Sequence, residues 1–271
     1  MLRYENIEDI SDGKLYSETD EVCIGTNGCE GCSYCCKSDM GKSIVLTPYD
    51  MYELTAATGK SFDELLVEFV IELSMIDGIV LPHLKMDKGC AFLKDDRCSI
   101  HKNRPGICRL FPLGRLYKDQ GFDYIVQTGQ CPKEDMTPVV ISEWLGIDNL
   151  EKNTEFINKW HRFIKFERKK VSSIREMAGH EARRLREIPE DELEVYAGII
   201  GEQEDFEKKK AESYRNEKIE EINETSEETI KEVMKRCISI LYLDKYDTES
   251  DFYEQFDKRL RRTISEIRGM N

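Results

Sequence analysis

The stretch Cys29-Glu-Gly-Cys32-Ser-Tyr-Cys35-Cys36 places four thiols within eight residues, a density that core packing does not explain. A thiolate is a strong, soft ligand for zinc, copper(I) and iron–sulfur clusters. A two-residue gap lets neighbouring thiolates converge on one centre. Cys90, Cys98, Cys108 and Cys131 follow and Cys23 precedes, so nine of the ten cysteines lie between positions 23 and 131. Cys237 stands alone downstream. The first expectation is therefore a cysteine-rich metal domain.

At 271 residues the chain can bury a core in one or two domains without disulfide staples. An odd cysteine count in the rich region and the adjacent pair Cys35–Cys36 both argue against cystines. The acidic N-terminus lacks the apolar stretch of a secretory signal, and no apolar run approaches the ~18–20 residues of a membrane span. These features predict a cytoplasmic protein, where thiols stay reduced and free for metal. The formal charge of −14 is shared equally by residues 1–132 and 133–271. No basic face dominates, so neither nucleic acid nor an anionic membrane is expected as a partner.

Residues 1–22 read as an irregular, partly mobile lead-in. Thr47-Pro48-Tyr-Asp50 predicts a helix N-terminus, with Thr47 as cap, Pro48 at the first position and a stop near Gly59. Ser61-Phe-Asp-Glu64 is a capping box, and Phe62, Leu65, Leu66, Phe69, Val70 and Leu73 extend that second helix to about Ser74 at helical spacing. Gly78-Ile-Val-Leu81 reads as a strand, and 115–118 with 122–127 as a hairpin around Asp119-Gln-Gly121. Beyond Pro132 the pattern turns helical. A short helix starts at Thr137-Pro138 and contains Trp144, and Phe156, Ile157, Trp160, Phe163 and Ile164 stripe the next. Further helices are expected over 191–200, about 203–242 and 249–268. The run from Glu202 to Glu212 reads as a solvated face or connector. The fold class is thus α+β and mostly helical: a loop-rich cysteine domain over 23–135 with little regular sheet, then a helical region over 136–271.

Cys29-x2-Cys32-x2-Cys35 is the three-thiolate run that wraps a cubane cluster in bacterial-type ferredoxins, where a cysteine followed by proline completes a site. Cys131-Pro132 can be that fourth ligand, which leaves Cys36, Cys90, Cys98 and Cys108 as a second set. Two zinc ions, one cluster with spare thiols, or two clusters all satisfy eight thiolates. Zinc prefers paired knuckles, and Cys90-x7-Cys98-x9-Cys108 does not pair neatly, which tilts the choice toward iron–sulfur, a [4Fe–4S] cluster.

The motifs Cys29-x2-Cys32-x2-Cys35-Cys36, Leu46-Thr-Pro48-x-Asp50, Gly89-Cys90-x-Phe92-Leu93, Cys98-Ser-Ile100-x3-Arg104-Pro105-x2-Cys108-Arg109-x-Phe111-Pro112 and Cys131-Pro132 follow in order. In this the chain resembles the YkgJ-type cysteine-cluster family, described as zinc- or iron-chelating, over about residues 25–135. The resemblance implies that Cys29, Cys32, Cys35, Cys36, Cys90, Cys98, Cys108 and Cys131 are the metal ligands. A similar cysteine pattern occurs in the flagellin lysine methylase, which is linked to an iron–sulfur cluster. The family usually carries an aromatic where His101 stands, and residues 136–271 lie outside the resemblance.

Cys23 is expected to have no role, Cys237 to be a small core residue beside Met234, Ile238 and Leu241, and His101 to be a loop histidine. Arg104 and Arg109 flank Cys108. There they can offset the negative charge of a tetrathiolate centre and hydrogen-bond to sulfur, or bond loop carbonyls. No serine-hydrolase order, phosphate loop or nucleotide fingerprint is present. The first functional expectation is a metal-binding protein with a redox or protein-modification role, its partner a protein substrate or a redox protein. A protein lysine N-methylase-like enzyme and a structural zinc module for partner binding are the alternatives.

Overall fold

A computed structural model describes residues 6–29, 32–37, 44–86, 89–189, 192 and 204–270. They form an α+β fold, mostly helical, in which the sheet is confined to four separate two-stranded ladders. The helix expected over 191–200 lies outside the described residues but for Glu192.

The chain opens with one turn, α1 (Ile7–Ile10), and Tyr16 then exchanges backbone hydrogen bonds with Tyr124 at 2.9 and 2.8 Å. The described part of the expected mobile lead-in is thus irregular but pinned. Strand β1 (Glu21–Gly25) and the single turn α2 (Tyr34–Lys37) lead to α3 (Pro48–Thr58). This helix starts and stops as expected, with Thr47 and Asp50 forming the capping box and Gly59 ending it at φ +71°.

The Ser61–Glu64 capping box also forms, but α4 (Phe62–Val67) ends well short of Ser74. Residues beyond it alternate, and Ile71–Ile76 (β2) pair with Ile79–Leu84 (β3) across Asp77-Gly78. Both turn residues hold positive φ, 49° and 87°, as a type I′ hairpin turn requires. The helical reading of Phe69 and Leu73 fails because they point to solvent, 72% and 42% exposed.

Hairpin β4 (Leu93–Lys94) and β5 (Arg97–Cys98) precedes α5 (Gly106–Leu110), and β6 (Leu113–Tyr117) pairs with β7 (Phe122–Val126) as expected. Thr137-Pro138 does not start a helix. Residues Thr137–Val140 are strand β8, paired with β1, and α6 (Ile141–Leu145) begins only afterwards. Long helices α7 (Leu150–Glu187) and α8 (Glu204–Ile238), a π-turn (Ser239–Leu243) and α9 (Phe252–Arg268) complete the chain.

The apolar stripe of α7 is buried with Ile230, Val233 and Met234 of α8 and with Phe252 and Phe256 of α9. The same core takes in Leu46, Met51 and Leu54 from the α3 region and Phe92 and Ile100 from the cysteine loops. A smaller core joins Val22, Ile24, Leu110, Leu113, Ile141 and Leu145. Helix α5 touches both, since Ile107 packs against each cluster. The cysteine loops are therefore held at the seam of two apolar cores.

Candidate metal centre

Two structural relationships gather the thiols. The first is the β1–β8 ladder. Antiparallel pairing sets Gly25 opposite Thr137, so the chain leaving β1 toward Cys29 and the chain arriving from Cys131 share one end of the ladder. A side chain at Gly25 would meet the Thr137 carbonyl oxygen at 2.8 Å, which explains the glycine at this close approach. Cys29 itself sits at φ +56°, its sulfur 3.1 Å from the Thr26 hydroxyl, and its carbonyl accepts the Cys32 amide at 3.0 Å. The outcome is electrostatic. Burial first, then the neighbouring sulfurs of Cys131, Cys29 and Cys32, push the Cys35 thiol up to about 11.

The second gathering centres on Cys36. Cys35 and Cys36 lie in the helical turn α2. Successive side chains on a helix diverge, by roughly 100°, so the two thiols serve different neighbours. The Cys36 carbonyl accepts the Cys90 amide at 2.8 Å, and Gly89 takes φ +91° beside it. The Cys36 thiol beside it, helped by the Phe92 and Leu93 amides, lowers the Cys90 thiol, and the proximity of Cys90 raises Cys36. Cys98 and Cys108 raise Cys36 as well. Cys108 is itself pushed up by burial first, then by Asp50, Cys90 and Cys98. Ser33 and Lys37 both reach Asp96 in the β4–β5 turn, which fixes Cys98 relative to α2.

Asp50 is the positioning residue that sequence reasoning used only as a helix start. Its Oδ2 accepts the Thr47 amide at 2.6 Å and hydroxyl at 2.8 Å, while its Oδ1 accepts the Gly106 amide at 2.6 Å. One buried carboxylate thus joins the start of α3 to the start of α5, the helix that carries Cys108. Burial pushes this carboxyl up, and the Gly106 and Thr47 donors pull it back.

The two arginines divide. Arg109 is buried and its nitrogens are consumed by the carbonyls of Arg104, Gly146 and Lys102 and by Glu53, so of the two roles open to it, it takes the bracing of the loop. Arg104 lines the cavity that also receives Cys29, Cys32, Cys35, Cys36, Cys90, Cys98 and Cys108. Its Nη1 contacts the His101 ring and donates to the His101 carbonyl at 3.0 Å. Burial, then Arg104, lowers the His101 ring, which favours its neutral form. Phe92, Phe111 and Trp144 wall the same cavity, as a site shielded from water needs. Cys23 is exposed on β1, and Cys237 is buried in the helical core against Glu167.

Residues 28–132 match the CxxCxxCC family. Its description is "Putative zinc- or iron-chelating domain". No curated protein and no solved structure matches the chain. Metal binding is the function that the CxxCxxCC match supports for this segment, and the donor set fits it: clustered free thiols behind apolar walls suit a thiophilic ion. Among the described residues no three His, Cys, Asp or Glu side chains close tightly enough to grip an ion. Also among them, no helix is long and apolar enough to cross a membrane.

Proposed function

We propose that the CxxCxxCC segment is a double thiolate metal centre, with Cys29, Cys32, Cys35 and Cys131 as one ligand set and Cys36, Cys90, Cys98 and Cys108 as the other. The observation that carries this reading is the two-fold grouping of sulfurs. The pairing of Gly25 with Thr137 brings the strand from Cys131 beside the one leading to Cys29, whereas the Cys90 amide donates to the Cys36 carbonyl at 2.8 Å. The β1–β8 ladder and the Asp50–Gly106 bond are the independent geometric reasons for the two groups.

Iron–sulfur clusters are the occupants that the Cys29-x2-Cys32-x2-Cys35 run and Cys131-Pro132 favour, and a bound cluster would supply one-electron chemistry. The protein's part is to deliver thiolates. A metal takes the deprotonated sulfur, so its binding at Cys36 and Cys90 must release acid. The apolar walls then exclude water from the site. In this role the protein serves a redox partner or a protein substrate through the same cavity.

Anaerobic purification of the full chain, with an absorption spectrum and elemental analysis, tests the proposal. Iron and sulfide with a broad band near ~400 nm support clusters, because thiolate-bound clusters are coloured and zinc is not. Stoichiometric zinc in a colourless protein keeps the thiolate centre and removes the redox role. Absence of any metal overturns both.

A further inference from the structure

Arg104 differs from Arg109 in what its guanidinium leaves free. Only Nη1 is engaged, with His101, and Nε and Nη2 have no hydrogen-bond partner among the described residues. These donors belong to a side chain lining the cavity that both groups of sulfurs enter. Sulfurs of both sets line that cavity with Arg104: Cys29 from the first, Cys108 and Cys98 from the second.

Four thiolates around a zinc(II) ion leave a net charge of −2, and a doubly positive [4Fe–4S] core gives the same total. Two such centres side by side repel, more strongly behind apolar walls than in water. Filling one set therefore makes the other harder to fill unless a fixed cation stands between them. Arginine suits this place because it stays charged when partly buried and carries several donors in one plane.

We infer that Arg104 is a counter-ion shared by the two thiolate sets, its Nε and Nη2 serving sulfurs of both and so linking the loading of one set to the other. The inference rests on the double-centre reading proposed above. Arg104 is in this sense a positioning residue, since it acts on the centre through the ligands.

The test is chelator-driven metal release from the full chain as purified anaerobically, with metal per chain measured at each chelator concentration. In wild type both equivalents persist. In Arg104→Met and Arg104→Gln, which remove the charge, one equivalent is released at about tenfold or more lower chelator, the scale on which supporting residues tune metal affinity. Arg104→Lys keeps the charge but loses the planar donors, so it falls between wild type and the neutral variants, and circular dichroism verifies that each variant is folded. If R104M and R104Q hold both equivalents as tightly as wild type, or if R104K holds metal no better than they do, the shared counter-ion is wrong although the double centre stands. Wild-type protein that carries no metal overturns the double centre, and the counter-ion with it.

Discussion

The Asp50 carboxylate accepts the Gly106 amide at 2.6 Å, across 56 residues of chain, while capping its own helix through Thr47. One side chain thereby closes two helix N-termini and sets the position of Cys108. Every hydrogen bond it makes is accepted, none donated. Asp50→Asn would put an amide NH2 against an amide donor on one side, leaving a buried group unpaired. We expect a loss of about 1–3 kcal/mol of unfolding free energy, read by chemical denaturation, with weakened metal retention in the set containing Cys108. Unchanged stability would show that the bond is not the tie we describe.

The proposed partition of ligands gives separable losses. Cys131→Ser is expected to remove the metal of the set containing Cys29 and to spare the other, and Cys98→Ser to do the reverse. Each should lower metal per chain by about half, whereas Cys23→Ser and Cys237→Ser leave it unchanged. Elemental analysis of the four variants decides, and loss of all metal in both C131S and C98S would contradict two separate sets.

Gly89 holds φ +91°, and a side chain there would lie 3.2 Å from the Cys36 carbonyl oxygen. Gly89→Ala is therefore strained twice, by conformation and by contact, at the amide link between Cys36 and Cys90. We expect roughly 1–3 kcal/mol of destabilisation from a side chain forced into the left-handed region, measured by thermal unfolding. Wild-type stability in this variant would mean that the loop shifts freely.

Glu167 is buried at 2% exposure beside Cys237, its Oε1 without a hydrogen-bond partner. Burial raises its carboxyl from 4.5 to about 7. The sign follows directly. Between those values the folded protein holds a proton that the unfolded chain has released, so this group's contribution to stability is full below pH 4.5 and is lost as pH rises to about 7. The size is about 3 kcal/mol. Glu167→Gln keeps the shape and has no proton to lose, so its unfolding free energy should fall less than that of wild type from pH 5 to pH 8. Parallel pH profiles would refute this.

Local rules account for much of what the sequence revealed. The Thr47–Asp50 cap, the Gly59 stop, the β6–β7 hairpin and the stripe of α7 each follow from a few neighbouring residues. The failures came where period and turn chemistry competed. Phe69 and Leu73 fit a helical face, yet Asp77-Gly78 is a strong hairpin turn and pulled Ile71–Ile76 into a strand. At Thr137, pairing with Gly25 overrode the helical reading, and only tertiary contact supplies that information. The cysteine pattern marked the metal segment, and residues 28–132 match the family. Asp50 was visible as a cap but not as a bridge, because Gly106 is local to it only in space. The different duties of Arg104 and Arg109 were likewise hidden, since they depend on which carbonyls the loop leaves within reach.

Metal-edge X-ray absorption on the full chain, purified without oxygen, tests the central claim most directly. The account predicts that the nearest neighbours of the bound metal are sulfur alone, at ~2.3 Å as thiolate coordination requires, and that the metal left in Cys131→Ser and in Cys98→Ser keeps that sulfur shell at about half the content. A shell of nitrogen and oxygen, or a protein free of metal, would contradict it.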